Sequence, residues 1–240
     1  VMLAMWVPGA ATFITTRWIT HEGMGGTMIR LGSWKPYAAM LVVVPACFAA
    51  IYGLTWALGL GAPDPQLTGF FDMMRATGAD MASAPTPGVL VAILFLASVT
   101  AAPVLNGAIA FGEELGWRGY LLPKLVPLGM PKAHLIGGVI WGLWHAPLIL
   151  LGFNYPGYPI LGVLWMCGLT TGLGIFLNEM TLRYKSSILA GSLHGAFNGQ
   201  GYGIWRQLFP TVNPLLGGMT GLVGIGVLLV FGVWLARKGE

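Results

Sequence analysis

Residues 88–118 read GVLVAILFLASVTAAPVLNGAIAFGEELGWR. The stretch 88–112 holds no ionisable side chain and exceeds the roughly 20 residues a helix needs to cross about 30 Å of hydrocarbon. It shows no ten-residue alternation of the kind barrel strands need, so continuous backbone pairing in lipid selects a helix. At its end come two adjacent carboxylates, Glu113 and Glu114, and a guanidinium, Arg118. Charges in or near hydrocarbon are expensive, so they mark a functional-site candidate whose partners must be named.

The rest of the chain follows this pattern. It is 56% hydrophobic and 8% charged, with a mean hydropathy of +0.76, against roughly 25% charged residues in soluble domains. Apolar segments fall at about 1–16, 37–60, 88–112, 133–151, 159–178, 187–205 and 214–236. The expectation is an all-α, polytopic membrane helix bundle of about seven transmembrane helices, forming one integral membrane domain over 1–240. The longest polar interval, roughly Gly61 to Pro87, reads as a loop. Cys47 and Cys167 lie in apolar runs and read as small buried hydrophobes, not a disulfide. The first apolar run has no basic leader and so does not read as a cleavable signal. The formal charge of +4 does not imply nucleic acid; the partner that composition implies is the lipid bilayer.

If every segment spans, one side receives Arg17, Arg30, Lys35, Arg118, Lys124, Lys132, Arg183, Lys185, Arg237 and Lys238, and the other only Arg75 and Arg206. The positive-inside rule then puts the C-terminus in the cytoplasm and the N-terminus outside, in the plasma or another cellular membrane. Gly138 with Gly142, Gly168 with Gly172, Gly191 with Gly195 and Gly217 with Gly221 have the small-xxx-small spacing that lets helix backbones approach closely.

Spacing also divides the charged cluster. On a continuous helix Glu114 and Arg118 are at i, i+4 and face one another, whereas Glu113 points about 100° away. Glu114 and Arg118 would then fix local geometry and leave Glu113 free to accept a proton. His145 lies in Trp141-Gly-Leu-Trp-His145-Ala-Pro147, and His194 with Asn198 occupies one face of the sixth segment. An imidazole and an amide on one face suit an oxyanion, although each could equally be an interhelical hydrogen bond. The helical rise puts His194 about 10 Å and His145 about 18 Å from the cytoplasmic boundary, so the site is expected towards that leaflet. No His-Glu-x-x-His, no Gly-x-Ser-x-Gly and no aspartate pair in a spanning segment is found, which removes support for zincin, serine and aspartyl mechanisms.

The pattern resembles the CAAX-protease and bacteriocin-processing family, also called Abi, which includes type II CAAX prenyl endopeptidases. Its motifs are Glu-Glu-x-x-x-Arg, Phe-x-x-x-His and His-x-x-x-Asn or Asp. They correspond to Glu113-Glu114-Leu-Gly-Trp-Arg118, Trp141-x-x-x-His145 and His194-x-x-x-Asn198, and the flanks WRGYLLPKL and SSILAGSLHGAFN are also similar. The close resemblance covers about 88–200. It implies an intramembrane endopeptidase in which Glu113 and His145 activate water, His194 and Asn198 stabilise the oxyanion, and Glu114 with Arg118 supports the site. Trp117 and Trp141 stand beside these residues. Trp141 replaces the usual Phe, a change expected to touch substrate shape more than chemistry.

The implied substrate is a peptide or protein, prenylated or otherwise membrane-associated. The family is commonly described as metalloproteases, and Glu113, His145 and His194 are candidate ligands for a divalent metal such as zinc. A metal-free glutamate mechanism suits the same residues. Two further classes stay open: a non-catalytic scaffold or immunity protein on this fold, and a proton-coupled transporter, for which buried Glu and His residues are natural.

Overall fold

The computed structural model describes residues 2–238, so Val1 of the first apolar segment, and Gly239 and Glu240 at the end of the 1–240 domain, lie outside the described residues. The chain is a helix bundle. Its elements are α1 Val7–Ile14, α2 Lys35–Ala57, α3 Thr68–Ala76, α4 Pro87–Thr100, α5 Ala102–Glu114, α6 Leu122–Leu125, α7 Met130–Trp144, α8 Ala146–Leu150, α9 Pro159–Tyr184, α10 Ser187–Asn198, α11 Trp205–Leu208 and α12 Leu222–Arg237. Wide π-helical turns follow α1, α5 and α10 at Thr15–Ile19, Leu115–Leu121 and Gly199–Ile204.

Large apolar side chains are exposed on several helices, among them Val42 on α2, Leu96 on α4, Leu105 on α5, Leu164 on α9 and Val230 on α12. Soluble monomers rarely expose apolar surface on this scale; a bundle that presents these side chains to lipid does so without cost. The chain is an integral membrane protein.

The apolar segments are all helical, but their lengths differ from the seven simple spans read from hydropathy. By length and composition α2, with 23 residues, and α9, with 26, each suffice to cross a membrane unaided. The run 88–112 is two helices bent by 47° at Ala101. Pro103 explains the bend, because it has no N–H to donate and its ring crowds the carbonyl four residues back. The run 133–151 breaks at His145, two residues before Pro147, for the same reason. The run 214–236 becomes helical only at Leu222, leaving the 16-residue α12. The 61–87 interval also departs from expectation, since it contains α3. Asp64 receives the Gln66 and Thr68 backbone N–H groups at 3.1 and 2.7 Å ahead of this helix, and Leu67 and Phe71 bury against Leu90.

Central to the bundle is α9, which packs on α7 and α12 and, through a tight turn, on α10. Lys185 in left-handed conformation ends α9, and Ser186 caps α10 by accepting the Leu189 N–H at 3.0 Å. α10 in turn lies along α5. Two of the glycine pairs explain how closely these helices run. Gly138 and Gly142 on α7 face Thr171 and Cys167 on α9, and a Cβ at Gly142 would come 2.5 Å from the Cys167 Cα. Gly191 and Gly195 on α10 face Phe111 and Gly107 on α5. Neither Cys47 nor Cys167 is in a disulfide.

The two ends of the bundle differ. At one end Arg30 Nε donates to the Lys185 carbonyl, Ser187 N–H to the Met28 carbonyl, and Lys124 to the Glu22 carboxylate. Loops 17–35, 122–132 and 183–187 therefore share that end with most of the basic residues. At the other, Asp64 N–H bonds to the Leu208 carbonyl and Gly61 bridges Val212; Arg75 and Arg206 belong there. Arg118 belongs to neither end, because it is buried inside the bundle.

Candidate active site

The chain enters the site on α5. Its last two residues, Glu113 and Glu114, are both buried but point to different partners. Glu114 is fully enclosed, and both its oxygens accept from Arg118 Nη1 at 2.9 Å. Its Oε1 also accepts from His194 Nδ1–H at 2.8 Å. The i, i+4 pairing survives although Arg118 lies in the π-helical turn after α5. The guanidinium lies 4.3 Å from the centre of the Trp141 ring, a cation–π contact.

Glu113 turns away from that clamp. Its Oε2 accepts from Trp141 Nε1–H at 2.7 Å and, more weakly, from Trp117 Nε1–H at 3.4 Å. Trp141 is therefore bonded directly to the candidate base, a contact the motif spacing did not show. A phenylalanine there has no proton to donate to this carboxylate.

His145 sits at the α7–α8 break, where Pro147 has interrupted the helix. Its Nδ1 is 2.9 Å from the Trp141 carbonyl. A carbonyl only accepts, so Nδ1 carries the proton and Nε2 presents a lone pair. The same logic applies to His194: its Nδ1–H is given to Glu114, which leaves Nε2 as the free nitrogen. Asn198, one helical turn beyond His194, makes no side-chain hydrogen bond among the described residues.

Glu113, His145, His194 and Asn198 line one cavity of about 330 Å³, together with Asn106, Leu148 and Tyr202. The four candidates come from two helices, α5 and α10, and from the break that ends α7. Glu114 and Arg118 stand behind the wall, and Trp141 bridges the two groups. Sequence reading missed Asn106 and Tyr202. A signal existed for both, since Asn106 is seven residues before Glu113 and Tyr202 four after Asn198, spacings that return to one helical face. Asn178, His134 and Glu179, which continue the polar contacts behind Arg118, carry no such signal.

Phe153 and Tyr202, which close one side of the cavity, belong to segments at the end opposite the basic loops.

Metal binding finds limited support in the donor set. Two imidazoles with Nδ1 held by an oxygen acceptor are the usual preparation of histidine ligands. Among the described residues, however, no group of three His, Cys, Asp or Glu side chains converges closely enough to hold an ion, and Glu113 Oε2 is engaged by Trp141.

Residues 87–200 match the family described as type II CAAX prenyl endopeptidase Rce1-like. That interval contains every residue of the cluster just described except Tyr202. Over that interval the chain is similar to the CAAX-protease family. The CAAX prenyl protease 2 of Methanococcus maripaludis is 37% identical over 83 residues, 32% of this chain and 30% of that protein. The chain therefore spans less than a third of that relative's length. An NADH-quinone oxidoreductase component of Syntrophobacter fumaroxidans is 32% identical over 121 residues, 46% of this chain and 88% of that protein. No solved structure matches.

Proposed function

We propose that the protein is an intramembrane endopeptidase that hydrolyses a peptide bond of a membrane-associated or prenylated substrate through water activated by Glu113 and His145. The observation that carries this reading is the shared cavity of Glu113, His145, His194 and Asn198. Each histidine has its Nδ1 engaged on the far side, by the Trp141 carbonyl or by Glu114.

In this mechanism a water in the cavity gives one proton to Glu113 and is oriented by a hydrogen bond to His145 Nε2. Its oxygen adds to the scissile carbonyl carbon. Asn198 Nδ2 is the neutral donor for the resulting oxyanion. His194 can join it only as an imidazolium, because its neutral form offers a lone pair at Nε2. Collapse of the tetrahedral species breaks the C–N bond, and Glu113 returns its proton to the leaving nitrogen. Glu114 and Arg118 do not react. A water-poor bundle strengthens each of these polar contacts. The supporting roles of Trp117 and Trp141 are to hold the Glu113 carboxylate. No step here passes through a metal.

The basic end is assigned to the cytoplasm, with the N-terminus outside. In this reading the site lies towards the cytoplasmic leaflet, with His194 about 10 Å along its helix from that end. A prenyl or acyl chain of the substrate would stay in lipid while its peptide enters the cavity.

The test is cleavage of a prenylated and an unprenylated peptide by the purified protein in detergent. Wild type and Glu113→Gln are compared with and without chelator. Glu113-dependent, chelator-resistant cleavage is expected; chelator-sensitive cleavage would move Glu113, His145 and His194 to metal ligands.

A second reading, a membrane component of an NADH-quinone oxidoreductase, has the similarity to the Syntrophobacter fumaroxidans protein in its favour. It predicts co-purification with quinone-reducing activity and no dependence of any hydrolysis on Glu113.

A further inference from the structure

Behind the Glu114–Arg118 clamp lies a second set of buried polar groups that the endopeptidase reading does not use. Arg118 Nε donates to Asn178 Oδ1 on α9 at 3.1 Å, Asn178 Nδ2 lies 3.1 Å from His134 Nδ1 on α7, and His134 Nε2 lies 3.2 Å from Glu179 Oε1. The last contact is outside hydrogen-bonding geometry. Asn178 and His134 are buried, and Asn178 is 60 residues from Arg118 in sequence.

We propose that Asn178 is a positioning residue that aims the Arg118 guanidinium at Glu114, and through Glu114 holds His194 in the tautomer that faces the cavity. The order of donors and acceptors leaves little freedom. Arg118 can only donate, so the Asn178 atom facing it is the amide oxygen. The amide nitrogen then faces His134, whose Nδ1 must accept. His134 is accordingly neutral, with its proton on Nε2, the nitrogen on the Glu179 side. The contacts run without a gap from His194 on α10 through Glu114, Arg118 and Asn178 to His134 on α7, so the site-bearing helices are tied to the central α9 by one polar path.

The surroundings fit this role. Gly174, one turn before Asn178, lies under the guanidinium, and a Cβ there would come 3.3 Å from Arg118 Nη2. The arginine therefore lies flat against α9 with Nε over the amide oxygen. Without that acceptor a buried donor is left unpaired, and the guanidinium can pivot about its contacts with Glu114. His194 would lose its fixed partner without any change to the residues that line the cavity.

The kinetic arm of the test rests on the endopeptidase reading; the spectroscopic arm does not. Asn178→Leu and Asn178→Asp are made in the full chain and compared with wild type and Glu113→Gln on the prenylated peptide. Side-chain ¹⁵N NMR reports which nitrogen of His134 is protonated. Asn178→Leu is expected to lower kcat about 10- to 100-fold with KM changed less than about twofold, as for loss of an outer partner acting in the transition state. Asn178→Asp keeps the acceptor for Arg118 and should recover most of that loss. A carboxylate has no hydrogen to give, so in this variant His134 should move its proton from Nε2 to Nδ1.

Wild-type kcat in Asn178→Leu, or a His134 protonated on Nδ1 in the wild type, overturns the proposal. A wild type that cleaves no peptide, or a Glu113→Gln variant that cleaves as fast, defeats the endopeptidase reading alone. The His134 proton then decides the positioning role: its predicted shift in Asn178→Asp upholds it, and an unmoved proton overturns it. If Asn178→Leu does not fold, the wild type and Asn178→Asp supply the same spectroscopic decision.

Discussion

The α5–α10 and α9–α12 interfaces are both made by glycines that bring helices close, yet they bury different things. Along α9 and α12, Gly168 and Gly172 receive Ile225 and Leu228, Gly232 receives Ile175, and Phe176 meets Phe231 with ring centres 5.3 Å apart. Along α5 and α10, Gly107 meets Gly191 and Gly195, and beyond that contact come Glu114, Arg118 and His194. In lipid, helix association needs close van der Waals packing and not burial from water. The α9–α12 contact shows that packing small residues against apolar ones is sufficient. Charges are thus not a general requirement of such a contact, and the proposed chemistry gives the α5–α10 contact a reason to bear their desolvation.

This contrast can be broken by experiment, beginning with the largest effect. Glu113→Gln keeps the shape and the acceptor for Trp141 but removes the base. Peptide cleavage should fall by about 10²- to 10⁴-fold, the usual worth of a general base, while thermal unfolding in detergent stays unchanged. Arg118→Leu should act on both properties, because it leaves Glu114 as an uncompensated buried charge. A loss of about 3–5 kcal/mol in stability, read by denaturant or thermal titration, is expected together with loss of activity. A variant as stable as the wild type would mean that Glu114 is not ionised.

Asn198→Ala removes an oxyanion donor and should lower kcat by about 10²- to 10³-fold at constant stability. Leu228→Ala, in the apolar interface, should do the reverse. It should cost about 2–3 kcal/mol in stability and leave the specific activity of the folded fraction intact, since a buried leucine there contributes packing alone. Loss of activity per folded molecule would show that α12 is coupled to the site. The smallest effect belongs to Trp141→Phe, which deletes the 2.7 Å bond to Glu113 but keeps an aromatic ring near Arg118. Loss of one hydrogen bond to a charged group, about 1.5–3 kcal/mol, should appear as a fall in kcat of about 10- to 100-fold. An unchanged rate would return Trp141 to the part of an apolar wall.

Much of the site could be read from the chain because ionisable residues in apolar runs are rare and conspicuous. Glu113, Glu114, Arg118, His145 and His194 announce themselves by their cost in hydrocarbon, and i, i+4 spacing correctly pairs Glu114 with Arg118. Tyr202 and Asn106 were legible in principle by helical face but carry no charge to draw attention. Asn178, His134 and Glu179 were not legible, since their contact with Arg118 spans α7, α9 and the turn after α5, and no local rule connects those elements. The breaks within two apolar runs were not legible for a related reason. Hydropathy sums over a window and passes through Pro103 and Pro147, whereas the backbone breaks at both.

Composition and the 88–118 stretch by themselves determine a membrane-embedded helical bundle with charged groups at helix ends, because hydrocarbon admits few other ways to satisfy a backbone. Motif spacing adds the resemblance to a protease family. Helical spacing already separates Glu113 from Glu114, but only the tertiary structure decided what each meets: one a cavity and the Trp141 indole, the other Arg118 and His194. Adjacent residues on a helix point about 100° apart, and what each then meets depends on which distant helix lies against it.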